Sequence, residues 1–325
     1  MLVLRRLLAK VAGIAFSILV IATINFMLVH SAPGDPALVI AGQSGATDAK
    51  FIEQVRAEYG LDRPYLVQLG TYLGKVVRLD LGYSHRQRRA VSDLILERLG
   101  PTLLLTLSAF FLSLIGGVVF GALAGLRHGR WSDLAISLVS LLLYATPVFW
   151  LGLMLVLVLS IQLEWLPAFG YSNIRAAGYG RLEYAFDVAR HLILPAVTLS
   201  AIYMAVYTRL MRSSLIEVAH EDHVRTARAK GLTEGAILRG HMLRNAAVPV
   251  VPFAGLQAGA LIGGAVVVET VFAWPGLGRL TFDAVTARDY PVLLGLFLVT
   301  SMLVIAVNLL TDLIHGLIDP RVAAR

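Results

Sequence analysis

This sequence predicts an all-α integral membrane protein with six transmembrane helices and an external helical segment between the first and second. Three observations carry that reading. The 325 residues are 57% hydrophobic and 15% charged, where a soluble domain carries about 25% charged residues, so lipid is the expected solvent. Six runs hold no charged residue: 11–34, 101–126, 134–163, 192–208, 246–268 and 291–311. None of the six alternates polar with apolar residues, which excludes β-barrel strands. About 20 helical residues cross a hydrocarbon core of roughly 30 Å. A backbone in lipid must satisfy its own hydrogen bonds, so each run is predicted as helix.

The first run follows Arg5, Arg6 and Lys10. A signal peptide also starts basic, but its apolar stretch covers only about 7–15 residues. This run is longer and five others follow, so residues 1–34 are assigned to the terminus and an uncleaved helix. Residues 35–97 form the external segment, with eight acidic and nine basic residues across 35–100. Ile52, Val55 and Tyr59 share one helical face, and Leu69, Tyr72, Leu73 and Val76 another, separated by Gly60 and Pro64. Two amphipathic helices lying against the membrane surface or covering the spans are predicted there.

The remaining helices, within a domain over 98–316, are placed at about 101–126, 134–163, 192–211, 246–270 and 291–315, with a tail over 317–325. The fourth is marginal in length and holds Pro195, so it must borrow a flanking turn. Gly117, Gly121 and Gly125, and again Gly255, Gly259 and Gly263, recur four apart; small residues at that spacing let helices approach closely.

Orientation follows from Lys and Arg in short loops. Six spans put both termini on one side. The loops of that side carry fourteen basic residues, against five in loops 164–191 and 269–290. Both termini and loop 209–245 are therefore expected in the cytoplasm, and the net charge of +7 is mostly this bias rather than a nucleic-acid surface.

Chemistry-bearing motifs are few. No GxxxxGK[ST] is present, so ATP is not bound by that route, and no GxSxG marks a serine hydrolase. His220-Glu221-Asp222-His223 lacks the HExxH spacing of a zinc helix and reads as the start of a cytoplasmic helix. Strongly polar groups in or at the ends of spans include Asn25, His30, Gln257 and Asn308, with Asp312 and His315 near the last end. Glu164 and Glu269 fall at outer ends, leaving no carboxylate at mid-membrane. A secondary transporter would need one, or a broken helix pair, and neither is evident; an intramembrane enzyme would need a nucleophile and His within spans. Catalytic, cofactor and metal sites are accordingly assigned to no residue.

Loop 212–245 is the most structured-looking polar segment. Residues 220–230 form one helix stopped by Gly231, since Gly takes φ > 0 cheaply. Thr233 can cap a second helix, with Glu234 in its first turn and Ile237, Leu238, Met242 and Leu243 on its apolar face. A short helix pair held under the membrane by two spans is a rigid handle that a soluble partner can push.

Residues 225–232, Arg-Thr-Ala-Arg-Ala-Lys-Gly-Leu, and 241–250, His-Met-Leu-Arg-Asn-Ala-Ala-Val-Pro-Val, resemble the coupling loop of inner-membrane permeases of ABC importers for dipeptides, oligopeptides and nickel. Other matching segments lie at 32–37, 59–64, 80–84, 146–152, 165–167, 268–278 and 318–321, so the resemblance spans nearly the whole chain. It implies the type I ABC importer transmembrane fold. It implies as partners a second homologous permease, two ATP-binding subunits and an external solute-binding protein, with ATP held by the partners and no cofactor in this chain. It implies that Arg225, Thr226, Ala227, Lys230, Gly231 and Leu232 couple to the ATPases. Arg225 replaces the Glu that opens the general importer motif, and Arg244 stands where many members have Pro. The resemblance implies a multi-pass inner-membrane subunit forming half of a pore. Peptides are favoured as cargo because no metal-ligand cluster faces the lumen; nickel or another small solute is the alternative, and a non-transporting scaffold a weaker one.

Overall fold

The computed structural model describes residues 2–30 and 62–318, with residues 50, 52, 53, 56 and 57 between them. The segments 32–37 and 318–321, Val55 and Tyr59 of the first external face, and the separating Gly60 fall wholly or largely outside the described residues. The described residues are helical apart from loops and one hairpin of two-residue strands. They divide into two compact units, residues 1–100 with 279–306, and residues 101–278 with 307–325.

In the first unit, α1 (Leu2–His30) meets α2 (Tyr65–Val77). The predicted face of α2 is the one that packs: Val76 is buried, and Tyr72 and Leu73 join it against Ala22 and Ile18 of α1, with Leu81, Leu298 and Met302. Phe26 stacks on Tyr72 with ring centroids 5.6 Å apart. β1 (Tyr83–Ser84) pairs antiparallel with β2 (Arg89–Ala90), and α3 (Val91–Leu126) starts at once. The helix thus begins ten residues before the charge-free run at 101. Its first turns carry charges outside the apolar stretch; Glu97, for instance, accepts from Arg89 at 2.8 Å.

In the second unit the central element is α6 (Arg181–Val218). Its apolar middle is buried by protein to a much greater extent than that of α3. The run 192–208 is the middle of this 38-residue helix. The charges that end the run are tied down: Arg190 donates to the Trp165 carbonyl at 2.8 Å, and Arg209 lies 4.4 Å over the Tyr144 ring. Gly121 and Gly125 of α3 face α6 closely: a Cβ on Gly121 would sit 2.6 Å from the Thr208 carbonyl, which leaves no room for it, and one on Gly125 3.1 Å from Leu215, a tight fit. In α10 (Val250–Val271) a Cβ on Gly255 would collide with Thr311, whereas Gly263 faces open space.

Two expectations need correction. The run 134–163 is not one straight span: α4 (Trp131–Ala145) and α5 (Val148–Leu155), continued by a π-helical stretch Val156–Gln162, meet at 109°. Pro147 lacks an N–H and drives the residue before it out of the α region; Thr146 accordingly has ψ 129°. A broken helix pair is therefore present where none was evident. Glu269, near the end of α10, is fully buried; Thr102 Oγ1 donates to it at 2.7 Å and itself accepts the Leu277 N–H at 2.7 Å.

Among the described residues, three helices are long and apolar enough to cross a membrane, five if each bent pair counts as one, and Ala12–Leu28 is a shorter apolar helix. The last two helices are α11 (Leu277–Ala287) and α12 (Tyr290–Ile318).

Candidate functional site: the coupling loop

The loop after α6 folds as predicted from local signals. α7 (Asp222–Ala229) ends at Lys230, and Gly231 takes φ 77°. The Gly231 N–H reaches the Arg228 carbonyl at 2.9 Å and the Leu232 N–H the Ala227 carbonyl at 3.3 Å. That pair of bonds is the Schellman motif, which satisfies carbonyls a helix end leaves open. Thr233 then accepts from the Ala236 N–H at 3.4 Å and starts α8 (Glu234–Ile237). A π-helical stretch Leu238–Met242 and α9 (Leu243–Ala246) carry the chain to Pro249, and the bend into α10 is 49°.

Two contacts hold the halves together at the surface. Arg228 donates twice to Glu234, at 2.8 and 3.3 Å, and its guanidinium holds the Glu234 carboxyl below the usual range. His223 lies 3.0 Å from Glu221 through Nδ1 and 3.0 Å from the Asn245 amide through Nε2. One assignment satisfies both: Nδ1–H donates to the carboxylate and Nε2 accepts from Asn245. The histidines of the His-Glu-Asp-His stretch thus serve hydrogen bonds, His220 to the Ile216 carbonyl at 2.7 Å.

The inner face packs tightly. Val224, Ala227, Ile237, Met242 and Ala246 are buried in one cluster with Tyr207, Met211, Leu215 and Val218 of α6 and Val250 and Ala254 of α10. The loop is therefore a solid block on the ends of two long helices. Of the six residues assigned to coupling, Arg225, Thr226, Lys230, Gly231 and Leu232 are exposed, Leu232 at 44%. Ala227 is 4% exposed and is the foot on which α7 stands in the buried cluster. Arg228, absent from that set, shares the outward surface.

A second cluster at this end of α6 has no signal in the sequence. Asp133, 4% exposed at the start of α4, accepts from Arg212 of α6 at 2.5 and 2.8 Å and from the Gly129 N–H at 3.0 Å. His128 Nδ1 lies 3.2 Å from the same carboxylate. By composition Arg212 counts only as one more cytoplasmic charge, and nothing local links it to a residue 79 positions away.

Residues 117–324 match the family described as binding-protein-dependent transport system inner membrane component, and residues 3–106 match its N-terminal membrane component. The chain is 40% identical over 313 residues to the glutathione transport system permease protein GsiC of Escherichia coli strain K12, covering 96% of this chain and 97% of that one. It is 39% identical over 316 residues to a putative peptide transport system permease protein of Brucella suis biovar 1, covering 97% and 98%. Among solved structures it is similar to the inward-facing MetNI methionine ABC transporter, with TM-score 0.56 and 18% identity over 70% of this chain and 96% of that one. It is also similar to an amino acid ABC transporter solved with histidines, with TM-score 0.51 and 18% identity over 69% and 93%. The chain belongs to the inner membrane components of binding-protein-dependent transport systems.

Proposed function

We propose that this membrane permease subunit forms half of the pore of an ATP-driven importer for short peptides, glutathione-like tripeptides included, and is worked by ATPase subunits through residues 222–246. The carrying observation is the two-sided coupling block. Its inner face is buried on α6 and α10, and its outer face presents Arg225, Thr226, Arg228, Lys230 and Leu232 to solvent. A soluble engine needs such a part: a surface to grip and a stiff connection to the spans. The peptide reading is supported by relatives named as glutathione and peptide permeases that match nearly end to end. The partners are a second homologous permease, two ATP-binding subunits and an external solute-binding protein. Both termini lie in the cytoplasm, as the bias of basic residues indicates. The domain division, with an external segment over 35–97, a transport domain over 98–316 and a tail over 317–325, belongs to the same reading.

Free of cysteine, the chain accepts single reporter cysteines. A cysteine at Arg228 or Leu232 should crosslink to an ATPase subunit in inside-out vesicles, while one at Phe282 should not. Proteoliposomes of the assembled complex should take up labelled glutathione or dialanine and not nickel. No ATPase adduct at either loop position, or labelling of the loop only from outside the cell, removes the reading.

A further inference from the structure

One buried carboxylate in the first unit is not used by the fold alone. Asp289 is 2% exposed. Its Oδ2 accepts from Ser84 Oγ at 2.6 Å, and its Oδ1 has no hydrogen-bond partner among the described residues. Its backbone is fixed on both sides: the N–H reaches the Ala284 carbonyl at 2.9 Å and the carbonyl accepts from the Leu293 N–H at 3.0 Å. An unsatisfied buried acceptor is costly, and a charged one more so than a neutral one, so a fixed orphan oxygen calls for a donor.

Asp289 lines a cavity of ≈ 350 Å³, within the range of about 300–1,000 Å³ for small-molecule sites. Leu280 and Ala284, both buried, form its apolar wall, and Arg86, Arg98 and Asp283 its charged lining. The cavity thus holds both signs, two guanidiniums and two carboxylates. A bare cation would meet the arginines and a bare anion would meet Asp289. A ligand carrying an ammonium and a carboxylate a few ångströms apart fits both, and guanidinium groups suit the bidentate grip of a carboxylate.

We infer that this cavity binds a small zwitterion, a free amino acid or short peptide, with its α-ammonium donating to Asp289 Oδ1 and its α-carboxylate held by Arg86 and Arg98. The lining residues come from segments 78–100 and 269–290, which the six-span topology expected from the sequence puts outside the membrane, so the site samples solute before translocation. The inference draws its ligand class from the charges of the cavity; it extends the import reading but does not require the ATPase contacts.

The test is ligand-observed saturation-transfer NMR on the full chain in lipid nanodiscs, with trialanine as probe. Trialanine should give a signal, and N-acetyl-trialanine and trialanine amide should each bind about tenfold or more weakly, since each loses one charge-assisted contact. Asp289→Asn keeps an acceptor for Ser84 and should abolish the preference for a free ammonium. Arg86→Ala, at an exposed position, should leave the fold intact and abolish the preference for a free carboxylate. Equal binding of all three peptides overturns the assignment, as does unchanged selectivity in both variants or no trialanine signal at about 10 mM peptide. Weaker capture of a solute-binding protein by Asp289→Asn with no peptide signal would also overturn it, assigning the cavity to protein docking. Because no ATPase is present, failure here is separate from failure of the loop crosslinks.

Discussion

Asp133 accepts hydrogen bonds from Arg212 and the Gly129 backbone, and its burial makes those bonds obligatory: removing one partner of a buried pair strands the other. Asp133→Asn should therefore lower the stability of the detergent-solubilised chain by about 2–4 kcal/mol. Arg212→Gln should cost more, about 3–5 kcal/mol, because it strands the buried Asp133 carboxylate, whereas Asp133→Asn leaves an Arg212 that is 28% exposed and can turn to water. A double-mutant cycle read by thermal unfolding checks this; additive losses would show that the pair does not act as one. The glycines give a sharper contrast. Gly121→Ala puts a methyl 2.6 Å from the Thr208 carbonyl and should cost about 1–3 kcal/mol. Gly263→Ala meets nothing within 4 Å and should be close to neutral. The spacing of both triplets is readable in the sequence, but which member touches a neighbour depends on the azimuth of the partner helix, which spacing does not contain.

At the scale of elements, what the sequence discloses is local. Gly231 and Thr233 act within a few residues, so the break and the cap between α7 and α8 are legible in the order of residues alone. Replacing Gly231 with Ala should cost about 1 kcal/mol, and Thr233→Ala about 0.5–2 kcal/mol. Hydrogen exchange across 222–246 measures both, and protection in the middle of α6 should not change. The Arg228–Glu234 pair adds a pH dependence of known sign. Glu234 has its carboxyl lowered in the fold, so the pair supports the loop above the ordinary carboxylate range and is lost as pH falls through the folded value. Exchange in the loop should rise on acidification, and Glu234→Gln should flatten that rise. Two elements depart from their expected bounds for a shared reason. Hydropathy ends a span at the first charge, yet α6 continues past Arg190 and Arg209 because the Trp165 carbonyl and the Tyr144 ring receive them. Hydropathy likewise runs through Pro147, where the backbone turns by 109°, because side-chain apolarity carries no record of a missing N–H.

Within the second unit, α6 and α10 are the two rods that reach from the coupling block to a second buried cluster. Tyr207, Met211, Leu215, Val250 and Ala254 belong to the block's core, while Leu194, Leu199, Leu261, Ala265 and Val268 belong to the cluster around Phe272 and Trp274. The 22 residues of α10 rise about 33 Å, enough to carry a displacement from one membrane face to the other. At its far end the chain is locked: Trp274 Nε1 donates to the Pro101 carbonyl at 2.9 Å, the carbonyl of a proline set inside α3, and buried Glu269 holds Thr102. A block pushed at one end can thus move helices rather than deform itself. A push shifts the pore only by the difference in contact energy between its two states, and about 1.4 kcal/mol of that difference is a factor of ten in population. Loosening the block should consequently uncouple rather than unfold. Gly231→Pro forces φ near −65° where 77° is needed, and Ala227→Leu drives a larger side chain into the buried foot of α7. Both variants should reach wild-type abundance in the membrane and retain the heat stability of the span region, yet lose uptake at least tenfold. In the reconstituted complex, ATP hydrolysis should persist and cease to respond to loaded binding protein. Uptake at wild-type rates by both variants would place the moving contact elsewhere on the chain.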